Sequence, residues 1–420
     1  MIPESIWGKI IKDYIEWDVN LIKREIKYEI PTIQRALSII GPRRAGKTYF
    51  MFQISKDIGK NQSIYVNFED PRLVGANIED LMKFLDVFYS IYPENVKKTN
   101  YFLLDEIQAI PDWERFVRYL LDKNQKVILS GSSSKMLSKE ISTLLRGRAI
   151  VTDVYPFSFK EVLKANGIKI EKYLSTYEES KIKNIVRDYL IWGSYPEVIL
   201  NPSLRKEILR EILNLTIYRD IVERWKILNI KAMKMIIKMV AHSIHLSISK
   251  IYNNLKGLGI GIGKATVSNY LEYLEDSMIF YKIHPYVKSY KKREMLGFKS
   301  YLVDNGLLTI QGIEDKSILL ENMVFTELLK RGYKPNENLF YYLTRKGEEI
   351  DFLIKEGEKI DLIEVSYELD GKHIKRLGNA MNEIGIKEGI IITWDYEDEI
   401  KMNGKMIKAV PLWKWLLMKE

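Results

Sequence analysis

The chain of 420 residues contains no cysteine. That absence removes disulfides, thiolate-bound zinc, iron–sulfur clusters and thiol nucleophiles from consideration together. Histidine is scarce, at 4, so few nitrogen ligands remain for a transition metal. Glutamine is rare while lysine, isoleucine and glutamate are abundant, a balance that resembles hyperthermophile proteins. No apolar run approaches the roughly 18 residues of a membrane span. Glu4, Lys9, Lys12, Asp13 and Glu16 interrupt the first eighteen positions, so no secretory leader core is present. A cytoplasmic protein with no membrane partner is expected.

What is present is ample core-forming material, 46% hydrophobic residues beside 29% charged. At one to two hundred residues per domain, this length predicts about three domains. The net charge is +9, and its location is informative. Between Lys226 and Ser300 lie 13 basic residues and 4 acidic ones, so this window carries the entire excess. A local excess of this kind predicts a polyanion-binding surface, whereas an even spread would bear mainly on solubility.

The first thirty residues read as helical, with Ile6, Ile10, Ile11 and Tyr14 at helical spacing. From Ala36 onward, short apolar runs alternate with helical stretches: 37–40, 63–68, 101–104, 127–129 and 149–154. This alternation predicts βαβ units and a mainly parallel sheet. From Glu171 to Trp225 the pattern is helical, broken at Gly193, Pro196 and Pro202, and reads as a helical lid. Helices over 231–243 and 248–255 precede the glycine-rich turn 257–263. A third helix at 264–276 and two strand-like pieces follow, in the order of a winged helix-turn-helix. The last segment reads as a small α/β domain. The expected divisions are 1–30, 31–170, 171–225, 226–303 and 304–420.

The motif with the clearest chemistry is Gly41-Pro42-Arg43-Arg44-Ala45-Gly46-Lys47-Thr48, followed by Tyr49. It matches G-x-x-x-x-G-K-[ST] between an apolar strand and a helical segment, the context such a phosphate-binding loop requires. Its glycines let backbone N–H groups point at phosphates at a helix N-terminus. Lys47 would reach the outer phosphates of ATP, and Thr48 would hold Mg²⁺. The run Tyr101-Phe-Leu-Leu ends in Asp105 and Glu106. Carboxylates at the end of a buried parallel strand sit where ligands bind: Asp105 fits the Mg²⁺ role and Glu106 the base that orients the attacking water. Ser132 or Ser133, after the strand 127–129, would place a hydroxyl beside the γ-phosphate. Arg146 and Arg148 are positioned to act as arginine fingers toward a neighbouring copy in a homo-oligomer.

These segments, with Val66-Asn-Phe-Glu-Asp-Pro71, Leu104-Asp-Glu-Ile-Gln108 and Tyr155-Pro-Phe-Ser-Phe-Lys-Glu161, resemble the archaeal and bacterial AAA-type ATPases related to the STAND group of signalling NTPases. Those proteins carry a winged helix and a C-terminal nuclease-like domain. Trp192-Gly-Ser-Tyr-Pro196 and Tyr218-Arg-Asp220 resemble features of their helical region. The resemblance implies an α/β fold: a P-loop AAA-type parallel sheet with helical lid, a winged helix-turn-helix and a restriction-endonuclease-like C-terminal domain. It implies Mg²⁺-dependent ATP turnover to ADP, switching or defence-related, without a defined substrate. The opposing reading is a scaffold that holds ATP as a switch and docks a protein.

In the third helix of the basic window, Val267, Tyr270, Leu271 and Leu274 form an inward stripe and Lys264, Thr266, Ser268, Asn269 and Tyr273 face outward. Lys264, Ser268 and Asn269 are the short polar or basic groups that duplex DNA grooves accept. Lys291, Lys292 and Arg293 would contact phosphates from the wing. In the last domain Glu321, Asp351 and Glu364 resemble the PD-(D/E)XK nuclease core, a second Mg²⁺ site. Ser366 stands where that pattern has lysine, which predicts lost cleavage unless Lys372 or Lys375 substitutes.

Overall fold

The computed structural model describes residues 1–131, 141, 143–287, 289, 293, 295–402 and 404–418. These form two compact units, Met1–Tyr155 and Pro156–Glu420. Residues 156–170, expected with the first sheet, therefore pack in the second unit.

The first unit is built on five strands, β1 (Ala36–Ile40), β2 (Ser63–Asn67), β3 (Tyr101–Asp105), β4 (Lys126–Ser130) and β5 (Ala149–Asp153). They run parallel in the order β2-β3-β4-β1-β5. All five residues of β1 are buried, as a strand covered on both faces requires. Helices Lys47–Ile58, Ile78–Ile91 and Trp113–Asp122 follow strands β1, β2 and β3. Helix Glu4–Glu16 buries Trp7, Ile10, Ile11 and Tyr14, and the Trp7 ring lies 5.3 Å from that of Phe84. Residues 17–35 hold no helix, so the helical expectation for the first thirty residues is correct only for its first half. Trp17, in extended conformation, closes the helix, and Arg24 is fixed by side-chain and backbone contacts described below.

The second unit begins with helix Phe159–Ala165, whose Ser158 and Glu161 form a reciprocal cap. Helices Thr176–Trp192, Pro196–Leu200 and Arg205–Leu215 follow, the last running into a wider helical segment, Thr216–Glu223. Next come helices Ile230–His242, Ile248–Gly257 and Lys264–Asp276 and a small antiparallel sheet ordered β6 (His245–Leu246), β8 (Phe298–Leu302), β7 (Phe280–Ile283). Val267, Tyr270, Leu271 and Leu274 are buried as the helical stripe predicts. Tyr273 departs from expectation: it stacks on Trp225 at 4.3 Å and 8° between planes.

The C-terminal part holds a six-stranded mixed sheet in the order β13-β14-β12-β11-β10-β9. Its strands are β9 (Leu339–Leu343), β10 (Glu349–Glu356), β11 (Lys359–Ser366), β12 (Glu388–Thr393), β13 (Asp398–Met402) and β14 (Lys405–Pro411). Helix Gly371–Ile384 covers one face, where Leu353, Leu362, Leu377, Met381 and Ile391 join one apolar cluster. Helix Lys316–Lys330 is buried along most of its length. No described helix is long and apolar enough to cross a membrane.

Candidate nucleotide site

Strand β1 delivers the chain to Gly41, whose absent side chain is a packing requirement. A Cβ there would lie 2.0 Å from the carbonyl oxygen of Val154. The loop then turns through Arg44 at φ 65° and Gly46 at φ 94°, and Gly46 caps helix Lys47–Ile58 without any side-chain hydrogen bond to its first N–H groups. An uncapped helix N-terminus following a glycine turn suits an anionic ligand. Ala45 and Lys47 are buried, whereas Arg44 and Tyr49 are exposed. Lys47 Nζ donates to the carbonyls of Gly41 and Pro42, at 3.0 and 3.1 Å.

The register Leu104↔Leu129 and Asp105↔Ser130 sets the end of β3 beside β4. Thr48 Oγ1 donates to Asp105 Oδ2 at 2.7 Å. Two hard oxygen donors at that spacing, facing a phosphate-type loop, fit the donor chemistry that Mg²⁺ takes. Asp105 is also the hub of contacts that the sequence did not reveal. Tyr65 Oη donates to its Oδ2 at 2.8 Å and Ser130 Oγ to its Oδ1. Burial, then the charges of Asp105 and Glu106, push the Tyr65 phenol far above its usual 10.0, so it remains a proton donor to the carboxylate. The signal was weak: Tyr65 lies midway along β2 and Ser130 ends β4, the two strands that flank β3, and both read as ordinary strand residues.

Glu106 follows at φ 51°, a left-handed conformation rare for a residue with a side chain and concentrated at functional sites. Its N–H donates to Ser130 O at 2.9 Å, and its carboxylate accepts from Gln108 Nε2. Sequence reasoning also missed Arg24. Buried at 5% exposure, it donates through Nη1 to Ala45 O at 2.9 Å and through Nη2 to Tyr155 O at 2.7 Å. The otherwise irregular N-terminal segment thus props the phosphate-type loop from behind.

The remaining expected residues are distributed as follows. Ser132 and Ser133 lie outside the described residues. Arg146 is exposed at φ 54°. Arg148 Nη1 pairs with Asp122 at 2.6 Å in the same chain. Lys264 is exposed and donates to Ser249 Oγ at 3.2 Å; Asn269 is exposed and Ser268 half-buried. Lys291 and Lys292 lie outside the described residues, and Arg293 is half-buried. Two lysines of the basic window pair internally: Lys282 with Glu275 at 2.8 Å, and Lys299, 1% exposed, with carboxylates of the C-terminal part.

That last contact corrects the second metal site. Glu321, Asp351 and Glu364 do not converge on one cation position. Lys299 Nζ lies 2.5 Å from Glu321, 2.9 Å from Asp351 and 3.0 Å from Glu349, while Glu364, fully buried, pairs with Arg376. Burial alone would lower the Lys299 pKa, but Asp351, Glu321 and Glu349 outweigh it and hold the ammonium well above 10.5. Among the described residues no group of three or more His, Asp or Glu is arranged to hold a metal ion. The physical reason is that each carboxylate already faces a protein cation. Those cations are Lys299 and Arg376, whereas the sequence reading looked to Lys372 or Lys375. Ser366 Oγ donates to Glu368 O at 2.5 Å.

Residues 34–163 match the AAA domain family, and residues 183–317 and 316–415 match two domains of unknown function, DUF8612 and DUF4143. The chain is 38% identical to the uncharacterized protein MJ1544 of Methanocaldococcus jannaschii, over 99% of this chain and 96% of the relative. The chain belongs to that family of AAA-domain proteins. Its sequence is also 28% identical to an uncharacterized protein of Haemophilus influenzae, over 95% of this chain and 98% of that one. Among solved structures it is similar to a Walker-type ATPase of Pyrococcus abyssi, with a TM-score of 0.45 at 14% identity, covering 74% of this chain and 96% of that chain. AAA family membership and the parallel sheet with its loop Gly41–Thr48 agree on a P-loop ATPase fold.

Proposed function

We propose that the protein is a Mg²⁺-dependent ATPase whose turnover is coupled to binding duplex DNA. The observation that carries the first half is the convergence of Thr48 and Asp105, at 2.7 Å, with Lys47 one residue before Thr48 and Glu106 one residue after Asp105. Backbone N–H groups of residues 44–48 bind the phosphates of ATP, and Lys47 exchanges its contacts with Gly41 and Pro42 for the outer phosphates. Thr48 and Asp105 hold Mg²⁺, which when bound neutralises charge on the phosphates. Tyr65 and Ser130 keep the Asp105 carboxylate oriented by donating to it. Glu106 accepts the proton of the attacking water or aligns it, once released from Gln108.

The module 226–303 is read as a winged helix. Its support is the charge concentration and the exposed Lys264 and Asn269 on helix Lys264–Asp276, a helix that would lie in the major groove. Its surface excess is smaller than the raw count, since Lys299 is buried and paired with carboxylates outside the window. Residues 304–420 are read as a nuclease-like domain without nuclease activity, because Lys299 and Arg376 neutralise the carboxylates that catalysis would need free. The test is the ATP hydrolysis rate with and without duplex DNA. Mg²⁺-dependent turnover that rises with DNA supports the coupled reading. Turnover indifferent to DNA, with no DNA binding at low salt, removes the coupling and leaves the ATPase.

A further inference from the structure

We propose that Lys299 is a built-in cation that fills the acidic centre of the C-terminal domain, closing it to divalent metal and locking it to the three-helix module. Lys299 belongs to β8, where it pairs with His245 in the small sheet. Its side chain leaves that sheet entirely and is 1% exposed. The three carboxylates it meets come from two other elements, Glu321 from helix Lys316–Lys330 and Glu349 and Asp351 from β10. An ammonium has three donors and no acceptor, so three carboxylates saturate it.

The rest of the shell is also assigned. Tyr301 Oη donates to Glu321 at 2.7 Å, and the N–H of Val365 donates to the second oxygen of Asp351 at 2.8 Å. His245 Nε2 lies 2.9 Å from Glu349. Burying one lysine among three carboxylates is tolerable because all three share its ammonium and each also accepts a further hydrogen bond, from Tyr301, Val365 N–H or His245. Mg²⁺ or Mn²⁺ would need the same oxygens at about 2.0–2.2 Å, and two cations cannot share them. Removing the lysine leaves carboxylates that repel one another and whose oxygens suit a hard divalent ion.

The experiment is a Mn²⁺ titration of nucleotide-free full-length protein, read by the EPR signal of free Mn²⁺ and by thermal unfolding. It compares wild type, Asp351→Asn, Lys299→Ala and Lys299→Ala/Asp351→Asn. The expected result is no Asp351-dependent Mn²⁺ binding in the wild type. Lys299→Ala unfolds at a lower temperature and gains a Mn²⁺ site about tenfold or more tighter than any the wild type has there. Mn²⁺ then raises its unfolding temperature, and Asp351→Asn abolishes the gain. A Mn²⁺ signal in the wild type that Asp351→Asn removes overturns the proposal, as does a Lys299→Ala protein as stable as wild type and indifferent to Mn²⁺. If Lys299→Ala yields no folded protein, wild type against Asp351→Asn decides: a site lost in Asp351→Asn overturns the proposal, and binding unchanged by it supports the filled centre. Neither ATP nor DNA enters this test, so its outcome is separate from the ATPase reading.

Discussion

Asp105 receives three hydroxyl groups, from Thr48, Tyr65 and Ser130, and of these the Tyr65 contact is the one a conservative substitution removes most cleanly. Tyr65→Phe keeps the ring that packs 4.7 Å from Phe52 and deletes only the donor. A buried hydrogen bond to a charged group contributes about 1.5–3 kcal/mol. We therefore expect that loss in unfolding free energy, by denaturant titration, with a severalfold higher Mg²⁺ requirement for turnover. An unchanged Mg²⁺ dependence would reduce Tyr65 to a packing residue. Asp304 offers a second test at this scale. Gly193 approaches it so closely that a Cβ would fall 1.8 Å from its Oδ1, and its carboxylate accepts from Ser194 N at 2.6 Å and Gly306 N at 2.8 Å. Burial outweighs these donors and raises its pKa from 3.8 to about 6. Because the folded state holds that proton more tightly, stability from this group is fully present below pH 3.8 and is lost as pH rises through about 6. The deficit of Asp304→Asn relative to wild type should shrink by roughly 3 kcal/mol between those limits, measured as unfolding free energy at pH 4 to 7. A pH-independent deficit would contradict the displaced carboxyl.

At the scale of elements, the sheet of the first unit was legible because its strands are short, mostly apolar and separated by helices, and the loop Gly41–Thr48 sits where β1 ends. The C-terminal sheet was legible up to β12. Strands β13 and β14 were not, because Asp398–Met402 is polar and Lys405–Pro411 mixes lysines with its apolar residues, and β14 is buried by packing beside β12, which no local pattern shows. Nor could any local pattern show that Lys299 leaves its own sheet: a lysine beside an aromatic in a basic window reads as surface, and its acidic partners lie 22 to 52 positions later. The basic window itself yields a prediction. Neutralising Lys291, Lys292 and Arg293 together should weaken binding to all duplex sequences alike and flatten the log–log salt dependence by roughly one for each phosphate left without its cation. Fluorescence anisotropy at several salt concentrations reads both effects, and unchanged binding would assign the module to protein docking.

Over the whole molecule, Tyr155–Pro156 divides the unit with the P-loop fold from a second unit in which the helices of 159–223, the three-helix module and the C-terminal sheet share one compact body. The expected five segments were drawn from changes in pattern; the buried polar contacts of Asp304 with Ser194, Lys299 with Glu321 and Asp351, and Asn322 with Leu302 join the last three and span distances in sequence that no pattern encodes. Arg148 pairs with Asp122 within its own chain, so Arg146, exposed, is the stronger candidate to serve a neighbouring copy. Mixing Arg146→Ala with Lys47→Ala protein should then restore part of the hydrolysis that each lacks, and activity that stays flat across mixing ratios would show that sites are complete within one chain. The most direct test of the central claim is the steady-state rate of Mg²⁺-dependent ATP hydrolysis by wild type and Glu106→Gln at saturating ATP, with fluorescent-nucleotide binding measured alongside. The account predicts that Glu106→Gln binds nucleotide as wild type does and loses on the order of 100-fold or more in turnover; hydrolysis by Glu106→Gln at the wild-type rate would contradict it.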